Sequence, residues 1–261
     1  MKNFYAILFF CCLFSGCSDD DNQATFTTPT ATSFASKPEA NQMFDNSYKG
    51  IYKGIVIGNV SGSIYVDLYN DNKIWAKFQT ENLETYVLEN VPLLEEDGED
   101  KSTYLIKFRF ANENMSFELK LDEYGNNIST SNFNFYSNTD SRVFILKEKS
   151  NSLIKCYTGT YNSHEETGNI NFTTNGQLYV KGLAKKSYTT NFTNISGEII
   201  MIPPINTEFK TETNTSPVML YQLNANLHVG QISGYLDGYQ FTGNWMLEEH
   251  EIGNWSAKRI L

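Results

Sequence analysis

From Tyr48 onward the chain alternates apolar and polar residues in short runs, broken by Gly, Asn and Asp. Within Ser63–Tyr69, Ile64, Val66 and Leu68 fall on one face, and Asn70, Asp71 and Asn72 then turn the chain toward a run ending at Phe78. Tyr104–Phe110 and Met115–Leu121 alternate in the same way, the second with Met115, Phe117, Leu119 and Leu121 on one side. A period of two places successive side chains on opposite faces of a pleated strand. Asn175-Gly176 and Asp237-Gly238 each lie between two such runs, as hairpin turns require. Tyr, Phe, Val, Ile and Thr dominate these runs, in keeping with half-buried strands. No amphipathic helical run exceeds about two turns. The pattern predicts an all-β antiparallel meander.

The pattern also repeats. Tyr48-Lys-Gly-Ile-Tyr-Lys-Gly54 can be laid on Cys156-Tyr-Thr-Gly-Thr-Tyr161, and Leu105–Asn114 on Leu220–Asn226. Arg142–Leu146 and Trp255–Arg259 occupy matching closing positions. The expectation is two tandem repeats of about six to eight strands, over 46–152 and 153–261, forming barrel-like or bent-sandwich units. The stretch Gly234–Trp245, with Phe241-Thr-Gly-Asn-Trp245 and then Gly253-Asn-Trp255, resembles the closing hairpins of calycin-like and related small barrels of bacterial lipoproteins. That resemblance implies an up-and-down barrel and no particular activity.

The first residues differ from everything after them. Lys2 precedes an apolar run, Phe4 to Phe14, well short of the roughly 20 residues that a membrane-spanning helix needs. Ser15 and Gly16 then supply small residues at a cleavage position before Cys17. This resembles a bacterial lipoprotein signal, with Phe14 in the usual leucine place, and implies lipidation of Cys17. The following Ser18, Asp19, Asp20 and Asp21 resemble the export signal of surface lipoproteins of the Bacteroidota. By that resemblance residues 1–16 are a signal peptide and the mature protein is lipid-anchored in the outer membrane at the cell surface; a periplasm-facing anchor is the alternative. Residues 17–45, rich in Thr, Ser, Ala, Pro and Asp and without period, are expected to be a flexible tether.

Charge narrows the partners. The 261 residues carry a net charge of −10, and removal of 1–16 would take away Lys2 alone and leave −11. Such acidity argues against nucleic acid and against an acidic lipid surface. The membrane is therefore expected to be reached through the lipid alone. Of four cysteines, Cys11 and Cys12 would leave with the signal and Cys17 would be acylated. Cys156 alone remains and is expected to be a buried, inert thiol.

Chemistry is sparse. There is no Gly-x-Ser-x-Gly elbow, no His-Glu-x-x-His and no phosphate-cradling glycine loop. If the first and last strands of the second repeat pair, the loops of His164 and His250 fall at one end. There His164, Glu165, Glu166, Glu248, Glu249, His250 and Glu251 could gather around zinc or calcium; otherwise they are solvated acidic turns. His228 is expected on a strand, and Glu95–Asp100 as a solvated acidic turn. Tyr235, Tyr239, Trp245 and Trp255 either pack the barrel or stack on sugars. No cofactor beyond the covalent lipid and that metal is indicated. The leading expectation is a non-catalytic binding module or envelope-assembly subunit with an extracellular or envelope partner. A glycan- or peptide-acting hydrolase would need two carboxylates about 5–10 Å apart in a cleft. A carrier of a lipid or small molecule would need an aromatic-lined cavity above about 300 Å³.

Overall fold

The structure, a computed structural model, describes residues 34–93, 105–164, 166–176, 178–202, 220–227, 230–247 and 250–261. For residues 220, 227, 247, 250 and 251 it describes the backbone alone.

The alternating runs form two consecutive eight-stranded antiparallel meanders. The first comprises β1 (Gly50–Gly58), β2 (Gly62–Leu68), β3 (Ile74–Thr80), β4 (Thr85–Val91), β5 (Ile106–Ala111), β6 (Met115–Leu121), β7 (Ser129–Phe135) and β8 (Ser141–Lys147). The second comprises β9 (Lys155–Ser163), β10 (Thr167–Thr174), β11 (Tyr179–Lys186), β12 (Phe192–Ile202), β13 (Leu220–Leu227), β14 (Gly230–Asp237), β15 (Gln240–Leu247) and β16 (His250–Arg259). In each, the opening strand pairs with both the second and the last, β1 with β2 and β8, β9 with β10 and β16. The second meander is thereby a closed barrel. The first curls the same way, but among the described residues its end strands β7 and β8 are not joined by a ladder. Thr130 bridges them instead, its Oγ1 donating to the carbonyl of Val143 at 2.7 Å.

The predicted repeat matches strand for strand. Tyr52 and Tyr157 point inward from the two opening strands, and Gly54 and Gly159 follow them. Both glycines face the last strand closely. A Cβ on Gly54 would lie 2.0 Å from the Phe144 carbonyl oxygen, and one on Gly159 would lie 1.8 Å from that of Ser256. Leu105–Asn114 and Leu220–Asn226 overlap the fifth strands, β5 and β13, and the closing segments are β8 and β16.

Each meander has a packed interior. Tyr52, Val66, Phe78, Phe110, Phe117 and Leu119 are among the residues filling the first. Tyr157, Phe172, Phe241, Trp245 and Trp255 dominate the second. Within it Tyr157 stacks on Phe172 at 5.1 Å between ring centroids, and Phe172 meets Trp255 edge-on at 6.1 Å. A third core lies between the two meanders, where outward faces of β1 and β9 carry Ile55, Ile57 and Cys156 against Leu183 and Ile260. The Asn171 amide Nδ2 crosses it to donate to the Val56 carbonyl at 2.6 Å, and its Oδ1 accepts from Thr158 Oγ1 at 2.9 Å. Residues 34–261 therefore form one compact unit.

Part of the stretch read as a tether belongs to this unit. Phe34 packs on Tyr239 at 5.1 Å and lies under the Arg259 guanidinium at 4.8 Å. Gln42–Phe44 makes one turn of 3₁₀ helix, and Lys147 Nζ donates to the carbonyl oxygens of Phe44, Asp45 and Ser47. Residues 34–45 lack a hydrophobic period because they dock through single contacts and not through a continuous face. Cys17 to Asp21 lie outside the described residues.

Candidate functional site

Among the described residues, three concave sites lie on the outer faces of the barrels. The largest, about 790 Å³, runs beside the seam between β7 and β8. Outward side chains of β5 and β6, namely Lys107, Arg109, Ser116 and Glu118, line it with Thr130–Asn134 and Ser141–Val143. Their position follows from alternation: Phe108, Phe110 and Phe117 take the inner side, which sends their neighbours out. A bulge opposite Ser116 and Glu118 holds Asn132 at φ 53° and opens the outer surface there. Ser131 Oγ donates to Glu118 Oε2 at 3.2 Å, and the Arg142 guanidinium covers the Phe192 ring at 4.6 Å. The groove thus joins cationic and hydroxyl groups in a chain that is acidic overall.

Two further recesses, about 400 and 560 Å³, lie on the outer face of the second barrel and share Ser233. Tyr179, Glu198, Asn224, Asn226, Gln231 and Met246 line the first of them. The other is lined by Thr160, Asn162, Tyr235, Thr242, Asn244, Asn254 and Ser256. Beneath the second, Trp255 donates from Nε1 to the Ser233 carbonyl at 3.0 Å, so the floor is held from inside.

A separate charged cluster centres on a buried pair, Lys53 and Glu148, with the half-exposed Glu39 at its edge. Lys53 Nζ stands 3.0 and 2.8 Å from the two carboxylate oxygens of Glu148 and 2.6 Å from Glu39 Oε2. Glu148 also accepts from the backbone N–H of Glu39 at 2.7 Å and of Ile154 at 2.9 Å. Both oxygens of Glu148 are committed, so this carboxylate ties elements together. Nearby, burial raises the Asp67 carboxyl to about 6 against the N–H of Asn70, which donates to it at 2.7 Å.

The residues singled out in the sequence are distributed as follows. Ser163 pairs with Gly253 and Leu247 with His250, so the loops of His164 and His250 do lie at one end of the second barrel. His164 is exposed there, and Glu166 pairs with Lys186. Glu165, His228, Glu248 and Glu249 lie outside the described residues, as does Glu95–Asp100; of His250 and Glu251 only the backbone is described. Among the described residues no group of three or more His, Cys, Asp and Glu could hold a metal ion. Trp245 and Trp255 are core, whereas Tyr235 and Tyr239 are 50% and 62% exposed. Cys156 is buried in the third core, and desolvation pushes its thiol up to about 12.

Sequence reasoning missed Lys107, Arg109 and Arg142, and the amide and hydroxyl rows of β13–β16. The signal for the latter was present: Gln222, Asn224 and Asn226, then Gln231 and Ser233, then Thr242 and Asn244, then Asn254 and Ser256 alternate with inward residues. Searches against protein-family models, curated proteins and solved structures return no match for this chain.

Proposed function

We propose that this protein is a non-catalytic binding module, held at the outer face of an outer membrane by lipid on Cys17. The observation that carries the binding half is the contrast between filled interiors and polar recesses on the outside. A carrier needs an enclosed apolar cavity, and these interiors are occupied by their own aromatic rings. A hydrolase of the two-carboxylate type needs a pair of acids in a cleft. Among the described residues, the seam groove is lined by one carboxylate, Glu118, the smaller barrel recess by one, Glu198, and the larger by none.

The anchoring half rests on the sequence of residues 1–21. Each buried methylene contributes about 0.8 kcal/mol to membrane attachment, so more than one acyl chain gives stable anchoring. No helix among the described residues is long and apolar enough to cross a membrane.

Fractionation tests both halves. The parent protein should pellet with outer membranes, carry a lipid label and be cut by protease added to intact cells, and crosslinking on those cells should trap a partner. Cys17→Ser should move to the soluble fraction. A Cys17→Ser protein that still pellets, with no lipid label in the parent, defeats the anchor; an anchored protein that traps neither protein nor glycan defeats the binding role.

A further inference from the structure

We infer that the outer face of the second barrel, from β12 through β16 to β9, binds an uncharged polysaccharide; this deepens the binding-module reading and rests on it. Strand register aligns the polar residues across the sheet. Asn162 stands opposite Asn254, Asn254 opposite Asn244, Asn244 opposite Ser233, Ser233 opposite Asn224 and Asn224 opposite Glu198. The neighbouring row runs Thr160, Ser256, Thr242, Tyr235, Gln222. Six strands spaced about 4.8 Å apart make the first row about 24 Å long. The two recesses of this face meet at Ser233, midway along it, so the row lies in a continuous depression. Tyr235 and Tyr179 border it, 50% and 54% exposed.

A solvated sheet face needs polar residues, but not amides and hydroxyls in particular. Asn is a poor strand former, and a closed barrel has no edge that polar residues must protect. Solubility is served elsewhere by charge, as by Lys107, Arg109, Glu118 and Lys120 on the outer side of β5 and β6. In the two rows of the second barrel, Glu198 at one end is the single charged residue.

That chemistry selects the ligand. Amides and hydroxyls both donate and accept, as the hydroxyls of a polysaccharide do, and a repeating row suits a repeating chain. The exposed tyrosine rings offer flat apolar surfaces to the C–H faces of pyranose rings. An anionic polymer would meet no cation within the rows and a net charge of −10 overall.

The test is affinity electrophoresis of the full-length, detergent-solubilised protein through gels containing dextran, mannan, xylan, galactan or, as the anionic probe, polygalacturonate. At least one neutral polymer should retard the protein and polygalacturonate should not. Tyr235→Ala and the double variant Asn224→Ala/Asn244→Ala should weaken that retardation at least tenfold with unchanged melting temperature, while Lys120→Ala on the other barrel, outside the three recesses, leaves it intact. The inference is overturned if no neutral polymer retards the protein, if polygalacturonate does so as well, or if the folded variants bind like the parent. If a partner is still crosslinked on intact cells in that event, the polysaccharide falls and the binding module stands.

Discussion

At the scale of single residues, the sharpest consequence concerns Asp67. Its side chain is 2% exposed on β2, between Ile51 and Trp75 of the flanking strands, and burial disfavours its ionised form. The folded protein therefore holds this proton up to about pH 6, whereas the unfolded chain releases it near 3.8. The folded state binds more protons between those values, so the contribution of Asp67 is most favourable below pH 4 and is lost as pH rises through 6. Asp67→Asn keeps an acceptor for the Asn70 N–H and removes the desolvated charge. Relative to the parent, the variant should gain about 1–2 kcal/mol between pH 4.5 and pH 8, after allowance for solvent screening. Urea midpoints at three pH values would read this; a constant gap between the two proteins would refute it. Asp67 was not legible in the sequence, where alternation assigned it to the outer face. Tertiary packing covers that face, and β2 is buried on both sides.

At the scale of elements, the repeat places a glycine where each opening strand meets its last strand. The absent Cβ lets β9 approach β16, and a methyl on Gly159 would also lie 2.5 Å from the Ala257 Cα. These are backbone atoms, which cannot swing aside. Gly159→Ala and Gly54→Ala should each cost about 2 kcal/mol or more by overpacking, read as a fall in denaturant midpoint. Variants within about 0.5 kcal/mol of the parent would show that the seams are looser than drawn. The strands themselves were plain from period-two alternation, including Met115, Phe117, Leu119 and Leu121, all buried. The hairpins at Asn175 and Asp237 are present, though of different kinds. Asp237 pairs with Gln240 across a two-residue turn, whereas the first closes over a longer loop in which Leu178 takes φ 64°. A dipeptide signal marks where the chain reverses; the loop length follows from the register of the flanking strands.

At the scale of the whole molecule, the two meanders act as one body because the outward faces of β1 and β9 are themselves apolar. Each Ile or Leu buried in the third core contributes about 1.5–3 kcal/mol, and the Asn171 bond to β1 gives the contact a defined register. The Lys53–Glu148 pair works at the same scale, joining β1, the end of β8, the segment at Glu39 and the approach to β9 at Ile154. Glu148→Gln leaves a buried ammonium with the half-exposed Glu39 as its remaining partner and should cost about 3 kcal/mol. Glu39→Gln should cost about 1 kcal/mol or less. Unfolding followed by tryptophan fluorescence should show a lower midpoint for Glu148→Gln in a single transition. Equal losses for the two variants would refute the assignment of Glu148 as the central partner.

The residues by themselves determined the all-β class, the antiparallel meander and its duplication, because alternation, turn residues and repeated motifs act over short spans. The same local signals marked out residues 1–21 as unlike the body. Only the tertiary structure decided which polar residues share a surface. Asn162, Asn254, Asn244, Ser233 and Asn224 come from five strands and meet only once barrel closure sets their register. It decided likewise that Trp245 and Trp255 belong to the interior while Tyr235 faces outward, since the direction of a side chain depends on which face of its strand the barrel encloses. The docking of residues 34–45 and the third core between the meanders have the same origin, in contacts between parts of the chain far apart in sequence.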